Sequence, residues 1–174
     1  VMDGPAPLRV HSLDLDADSD LDLIVVYQGR TGEGGPEVRV FLNDGLGTFA
    51  QQSQFALPET PVDSLLFDIN PGTNTAPELL ILTQDGAGQG TLRVFNNDGA
   101  NPNLISAGDT SAVGLNPVQI SSGNLDADNI DLAIANRGAD AANGSVSILL
   151  GGGDGTFSAG PTLAATGNVT GVAI

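Results

Sequence analysis

Val38-Arg39-Val40-Phe41-Leu42-Asn43-Asp44-Gly45 returns 54 residues later as Leu92-Arg93-Val94-Phe95-Asn96-Asn97-Asp98-Gly99. A shorter echo, Val146-Ser147-Ile148-Leu149-Leu150, stands at the same step, and the turn Gly47-Thr48-Phe49 reappears as Gly155-Thr156-Phe157 at twice that step. Three copies of one period indicate a repeat architecture, in which no unit can bury its apolar faces alone. Pro7, Pro61 and Pro117 each stand seven residues before the first position of a polar loop, at Asp14, Asp68 or Asn124. Each loop feeds an apolar run, 23–27, 79–83 or 132–136, with almost no alternation, as expected of strands covered on both faces.

One unit therefore reads as four antiparallel strands: 8–13, 21–27, 37–43 and 49–56 in the first copy. The second copy gives 62–67, 78–84, 91–97 and a weak fourth strand near 103–108, and the third gives 118–123, 130–136, 145–151 and 157–164. Residues 168–174 read as the first strand of a further unit. Four strands per unit of about 40–55 residues is the pattern of a β-propeller blade, and propellers use about four to eight blades. The expected fold is all-β, a propeller segment with blades at 7–58, 61–110 and 117–165. Its remaining blades are expected from a longer chain or another copy.

Composition agrees. The chain has 174 residues, 40% of them hydrophobic, with 24 Gly and 10 Pro, which favours short strands joined by tight turns over long helices. No run approaches about 18 apolar residues, so no helix is long and apolar enough to cross a membrane, and membrane insertion is not expected. Twenty-one acidic residues against five basic ones give a net charge of −16, and Arg9, Arg30, Arg39, Arg93 and Arg137 are scattered singly. Nucleic acid, which is held by clustered cations on phosphates, is excluded as a partner. The absence of cysteine removes disulfides, thiolate catalysis and Cys-based zinc sites together, and the single His11 leaves no His cluster.

The acidic residues are not spread evenly. Asp14, Asp16, Asp18, Asp20 and Asp22 occupy every second position of one loop. Carboxylates this close disfavour one another's ionisation, and a hard divalent cation removes that penalty. Oxygen-only donors on a short flexible loop match Ca²⁺, which takes six to eight oxygens at about 2.3–2.6 Å, better than Mg²⁺. Free Ca²⁺ is plentiful outside cells, so the expected location is secreted or on a bacterial cell surface.

The loop Asp14-x-Asp16-x-Asp18-x-x-x-Asp22-Leu23, the Asn-Asp-Gly or Gly-Asp-Gly turn followed by Thr-Phe, and Gly123-Asn124-Leu125-Asp126-Ala127-Asp128 resemble FG-GAP/VCBS-type repeats, the blades of integrin α-subunit heads and of many bacterial surface proteins. The resemblance covers nearly the whole chain. It implies a Ca²⁺ held by the side chains of Asp14, Asp16, Asp18 and Asp22 and by the carbonyl of Asp20. It implies a second site at Asn124, Asp126, Asp128 and Asp131, in a loop one residue shorter between Asp128 and Asp131. The second loop, 68–78, is two residues longer and offers only Asp68, Asn70 and Glu78, so no tightly bound ion is expected there.

Little in the chain points to catalysis. His11 has no identifiable Ser or Asp partner, the clustered carboxylates are claimed by the loops, and the Gly-rich stretches 29–35, 86–90 and 151–155 lack the Gly-Lys-Ser/Thr of a phosphate loop. Binding has more room. Arg9, Asp63, Gln119 and Thr170 share the second position of each first strand and are expected to line a central channel. The loops 28–37, 84–90 and 137–145 vary as recognition loops do. The expected function is a non-enzymatic, calcium-stabilised extracellular module for adhesion or assembly whose partner is a protein or glycan at a surface. The alternatives are a lectin-like propeller and a non-catalytic portion of a secreted polysaccharide-active enzyme.

Overall fold

The computed structural model describes residues 5–29, 34–72, 76–97, 105–140 and 142–174. Among them are twelve strands and no helix, arranged as three four-stranded antiparallel sheets. The first sheet holds β1 (Pro7–Leu13), β2 (Asp22–Tyr27), β3 (Glu37–Asn43) and β4 (Phe49–Ala56), in that order. The second holds β5 (Thr60–Phe67), β6 (Glu78–Gln84), β7 (Gln89–Asn96) and β8 (Ile105–Leu115); the third holds β9 (Pro117–Gly123), β10 (Asp131–Asn136), β11 (Ser145–Gly151) and β12 (Phe157–Ala164). Every sheet is a simple meander, and every sheet covers one copy of the 54-residue period.

The sheets stack through two apolar layers. Ile24, Val26, Val38 and Val40 of the first sheet meet Leu79, Ile81 and Phe95 of the second. The opposite face of the second sheet, Leu80, Leu82, Leu92 and Val94, meets Ile120, Leu132, Ile134 and Leu149 of the third. Strand β6 thus sends alternate residues into two different cores, which is why Leu79-Leu80-Ile81-Leu82 shows no polar alternation and why all four are fully buried. Each such side chain contributes about 1.5–3 kcal/mol relative to exposure. Phe55 and Phe95 add a ring contact across the first layer, with centroids 4.9 Å apart and planes tilted by 33°.

The three sheets share a defect. The register slips by one residue at Leu8 in β1, at Val62 in β5 and at Val118 in β9, each time directly after a proline at the first or second position of the strand. Proline is tolerated at a first strand position because its missing donor is not needed there. The bulge that follows re-aims the next side chain.

That re-aiming joins neighbouring sheets. Arg9 donates to Asp63 Oδ1 through Nε at 2.9 Å and Nη2 at 2.7 Å, Asp63 Oδ2 accepts the N–H of Ile120 at 3.2 Å, and Gln119 Oε1 accepts the N–H of Val172 at 3.0 Å. Arg9 remains exposed and Gln119 half-buried. Asp63 is 3% exposed and serves as a link between sheets.

Three further differences from the sequence reading have physical causes. The fourth strand of the second sheet is the longest of all, eleven residues ending at Leu115, because it pairs with β7 through two register shifts and not only over 105–108. Residues 103–104 of the expected strand lie outside the described residues. Residues 168–174 form no strand, since no ladder pairs them; the N–H groups of Val172 and Ile174 instead bond to the side chains of Gln119 and Ser121 on β9. Leu21 precedes β2 and is largely exposed.

Candidate metal centre

The first acidic loop connects β1 to β2. It turns with two non-glycine residues in the left-handed region, Ala17 (φ 62°) and Ser19 (φ 80°), between the aspartates. This conformation brings ligand atoms of Asp14, Asp16 and Asp18 within 4.8 Å of one another, and no other such acidic triad exists among the described residues. Asp14 Oδ2 accepts the N–H of Ser19 at 3.0 Å, and Asp18 Oδ1 accepts that of Asp20 at 2.9 Å. Asp14 Oδ1 is enclosed and has no hydrogen-bond partner. An enclosed charged oxygen without a donor costs more than the 1–3 kcal/mol of a neutral one. Local desolvation, followed by the charges of Asp18, Asp22 and Asp14, pushes the Asp16 carboxyl above its ordinary value. A hard cation between the three carboxylates would satisfy the orphaned oxygen and reverse the repulsion, so the residues present fit such an ion.

Asp20 and Asp22 stand apart from the triad. The Asp20 carboxylate lies against Gly45 in the β3–β4 turn, where a Cβ would have to push it aside; the φ of +71° is what favours glycine there. Asp22 is fully buried. Its Oδ2 accepts the N–H of Leu15 at 2.8 Å and its Oδ1 that of Asn43 at 2.9 Å, so the carboxylate ties the loop to the end of β3.

The third loop repeats the tie and not the triad. Asp131, also fully buried, accepts from Leu125 at 2.6 Å and from Gly151 at 3.0 Å. Asn124 Oδ1 accepts the N–H of Ala127 at 2.6 Å and Asp126 Oδ1 that of Asp128 at 3.2 Å. With one residue fewer, this loop has a single left-handed residue, Ala127 (φ 72°), where the first has two. Asp126, Asp128 and Asp131 do not converge as the first three aspartates do.

In the second loop Glu78 takes the tying position, accepting the N–H of Ile69 through Oε2 at 3.0 Å. Its Oε1 and the Oδ1 of Asn70 are both buried without a partner. Burial, with some help from Asp68, pushes the Glu78 carboxyl up, while the N–H of Ile69 and the Asn70 side chain pull the other way. Thr73, Asn74 and Thr75 of this loop, like Asp98 and Gly99 of the second Asn-Asp-Gly turn and residues 30–33 of the loop 28–37, lie outside the described residues. A folded-state value raised above the unfolded one means stability that is complete below the unfolded value and falls as pH rises through the folded one. Glu78→Gln removes the charge and puts an N–H in place of the unpartnered Oε1, leaving the other oxygen to accept from Ile69. It is expected to raise the unfolding free energy by about 1 kcal/mol at pH 7, with the gain vanishing near pH 4, in urea titrations at both pH values.

His11 has a partner the sequence did not reveal. Its Nε2 lies 2.8 Å from Ser64 Oγ on β5, 53 residues on and one position short of its own counterpart in the next repeat. Burial, and then the charge of Arg9, hold the imidazole below its ordinary value, with Asp63 opposing. Ser64 is 3% exposed, and the pair packs β1 onto β5. A spacing close to the repeat length was the available signal.

No family model, no curated protein and no solved structure matches the chain.

Proposed function

We propose that the chain is a segment of a calcium-stabilised β-propeller, a non-enzymatic extracellular module for binding, adhesion or assembly, in which each sheet is one blade. The reading is supported by the radial logic of the contacts: equivalent positions on β1, β5 and β9 join one sheet to the next, and residues 168–174 continue the series on β9. The observation that carries the metal is the enclosed, unpartnered Oδ1 of Asp14 beside Asp16 and Asp18. Asp14, Asp16 and Asp18 would hold the ion; its chemistry is charge neutralisation of a backbone turn, with no reaction required of it. FG-GAP/VCBS-type repeats supply the precedent for this arrangement.

An ion that binds only the folded state adds about 2.7 kcal/mol at a hundredfold excess over its Kd. Calcium is expected to raise the melting temperature, EDTA to lower it, and Asp16→Asn/Asp18→Asn to abolish the difference between the two. Identical melting curves in Ca²⁺ and EDTA would refute the stabilising ion.

A further inference from the structure

A cavity of about 510 Å³ opens at the ends of the first strands where the prolines lie, away from the aspartate loops. Three sheets build it. Gln28, Gln84 and Arg137 follow or end the second strand of the first, second and third sheet, and all three line it. The bulged residues Val62 and Val118 form part of its wall, and Asn116, Asp140 and Asn168 complete the polar rim. The volume falls within the usual range for a small-molecule site, about 300–1,000 Å³.

Its hydrogen-bonding capacity is unequal. The Gln28 amide already donates to the Pro61 carbonyl at 3.3 Å, and that of Asn116 to the Gly138 carbonyl at 2.8 Å. The amides of Gln84 and Asn168 make no side-chain bond among the described residues. Asp140 Oδ1 is committed to its own turn, accepting from Ala142 N at 2.9 Å and Asn143 Nδ2 at 2.7 Å. Arg9, Arg39 and Arg93 are ion-paired with Asp63, Glu37 and Glu59. Arg137, the remaining described arginine, has no ion pair, and its guanidinium is exposed at the cavity. A free guanidinium in a chain of net charge −16 is a conspicuous donor, and its planar fork matches a carboxylate in two parallel bonds.

We propose that this cavity binds a small hydroxylated carboxylate, an acidic monosaccharide in size, with the carboxylate on Arg137 and hydroxyls on the Gln84 and Asn168 amides. No aromatic platform lines the cavity, so recognition is polar and its strength depends on the charge-assisted pair. The inference is independent of the metal, which sits at the other end of the strands.

Glucuronate and glucose differ at one carbon and make a matched pair of probes. Isothermal titration of the purified protein is expected to give a glucuronate Kd at least about tenfold below that of glucose, the worth of one charge-assisted pair. Arg137→Gln, at an exposed position, is expected to bring glucuronate to the glucose level with an unchanged melting temperature, while Asp16→Asn/Asp18→Asn leaves glucuronate binding intact. In two-dimensional NMR the Gln84 and Asn168 side-chain amides should shift with glucuronate. Equal affinity for the two sugars, unchanged binding in Arg137→Gln, or still amide signals at millimolar glucuronate would each overturn the proposal. Acetate binding as tightly as glucuronate would overturn the role given to the hydroxyls.

Discussion

Asp22→Ala is expected to lower the unfolding free energy by about 2–5 kcal/mol, because it strands two backbone donors at once. The carboxylate is fully buried and is the acceptor for both Leu15 N–H and Asn43 N–H. Leu15 itself is 3% exposed, so water cannot readily replace the lost oxygen at that end. Asp22→Asn keeps one acceptor and turns an amide N–H toward the other donor, so it should recover only part of the loss. Asp131→Ala should behave alike in the third sheet, where Leu125 and Gly151 are the donors. The measurement is the midpoint of urea unfolding in EDTA, which separates this effect from any bound ion. A loss below about 0.5 kcal/mol, the range of an ordinary surface substitution, would show that the tie is dispensable.

Asp63→Ala should cost about 3 kcal/mol by the same measure, for a different reason: it removes an acceptor on which three sheets converge. Ser64 N–H at 2.9 Å, Ile120 N–H at 3.2 Å and the Arg9 guanidinium all bond to this one group. Arg9→Ala should cost less, under about 1 kcal/mol, because the Arg9 side chain is 53% exposed and can return to water, while Asp63 keeps both backbone donors. The ordering is the test. If Arg9→Ala proves as damaging as Asp63→Ala, the salt bridge and not the backbone capture holds the sheets together.

The architecture was legible because apolar periodicity is written locally. Leu79 to Leu82 announce a strand covered on both faces, and the structure divides them between two cores. Strand β8 was not legible past residue 108, since Asp109-Thr110-Ser111 carries no apolar pattern and its pairing is imposed by β7 across the sheet. The aspartate loop was legible as a cluster, and Asp14, Asp16 and Asp18 do converge. What spacing could not distinguish was the task of each acid. Asp18 stays exposed at the loop, whereas Asp22, four residues on, is sealed beneath Leu15 because it begins a core strand. Pairings such as His11 with Ser64 depend on how one repeat lies on the next, which a single unit's sequence does not encode.

The bonds from Asp63 to Ile120, from Gln119 to Val172 and from Ser121 to Ile174 all end on a main-chain N–H. A peptide donor is anonymous: every amino acid offers one except proline. At these joints, unlike the side-chain pairs of Arg9 with Asp63 and His11 with Ser64, the receiving residue can change without loss of grip, since it is recognised by its backbone and not by its identity. The tolerance has one sharp boundary, because a proline at 120, 172 or 174 would erase a contact that any of the other substitutions would leave in place. Divergence among tandem copies, seen in the uneven fates of the three loops, is on this view permitted by the joints between them.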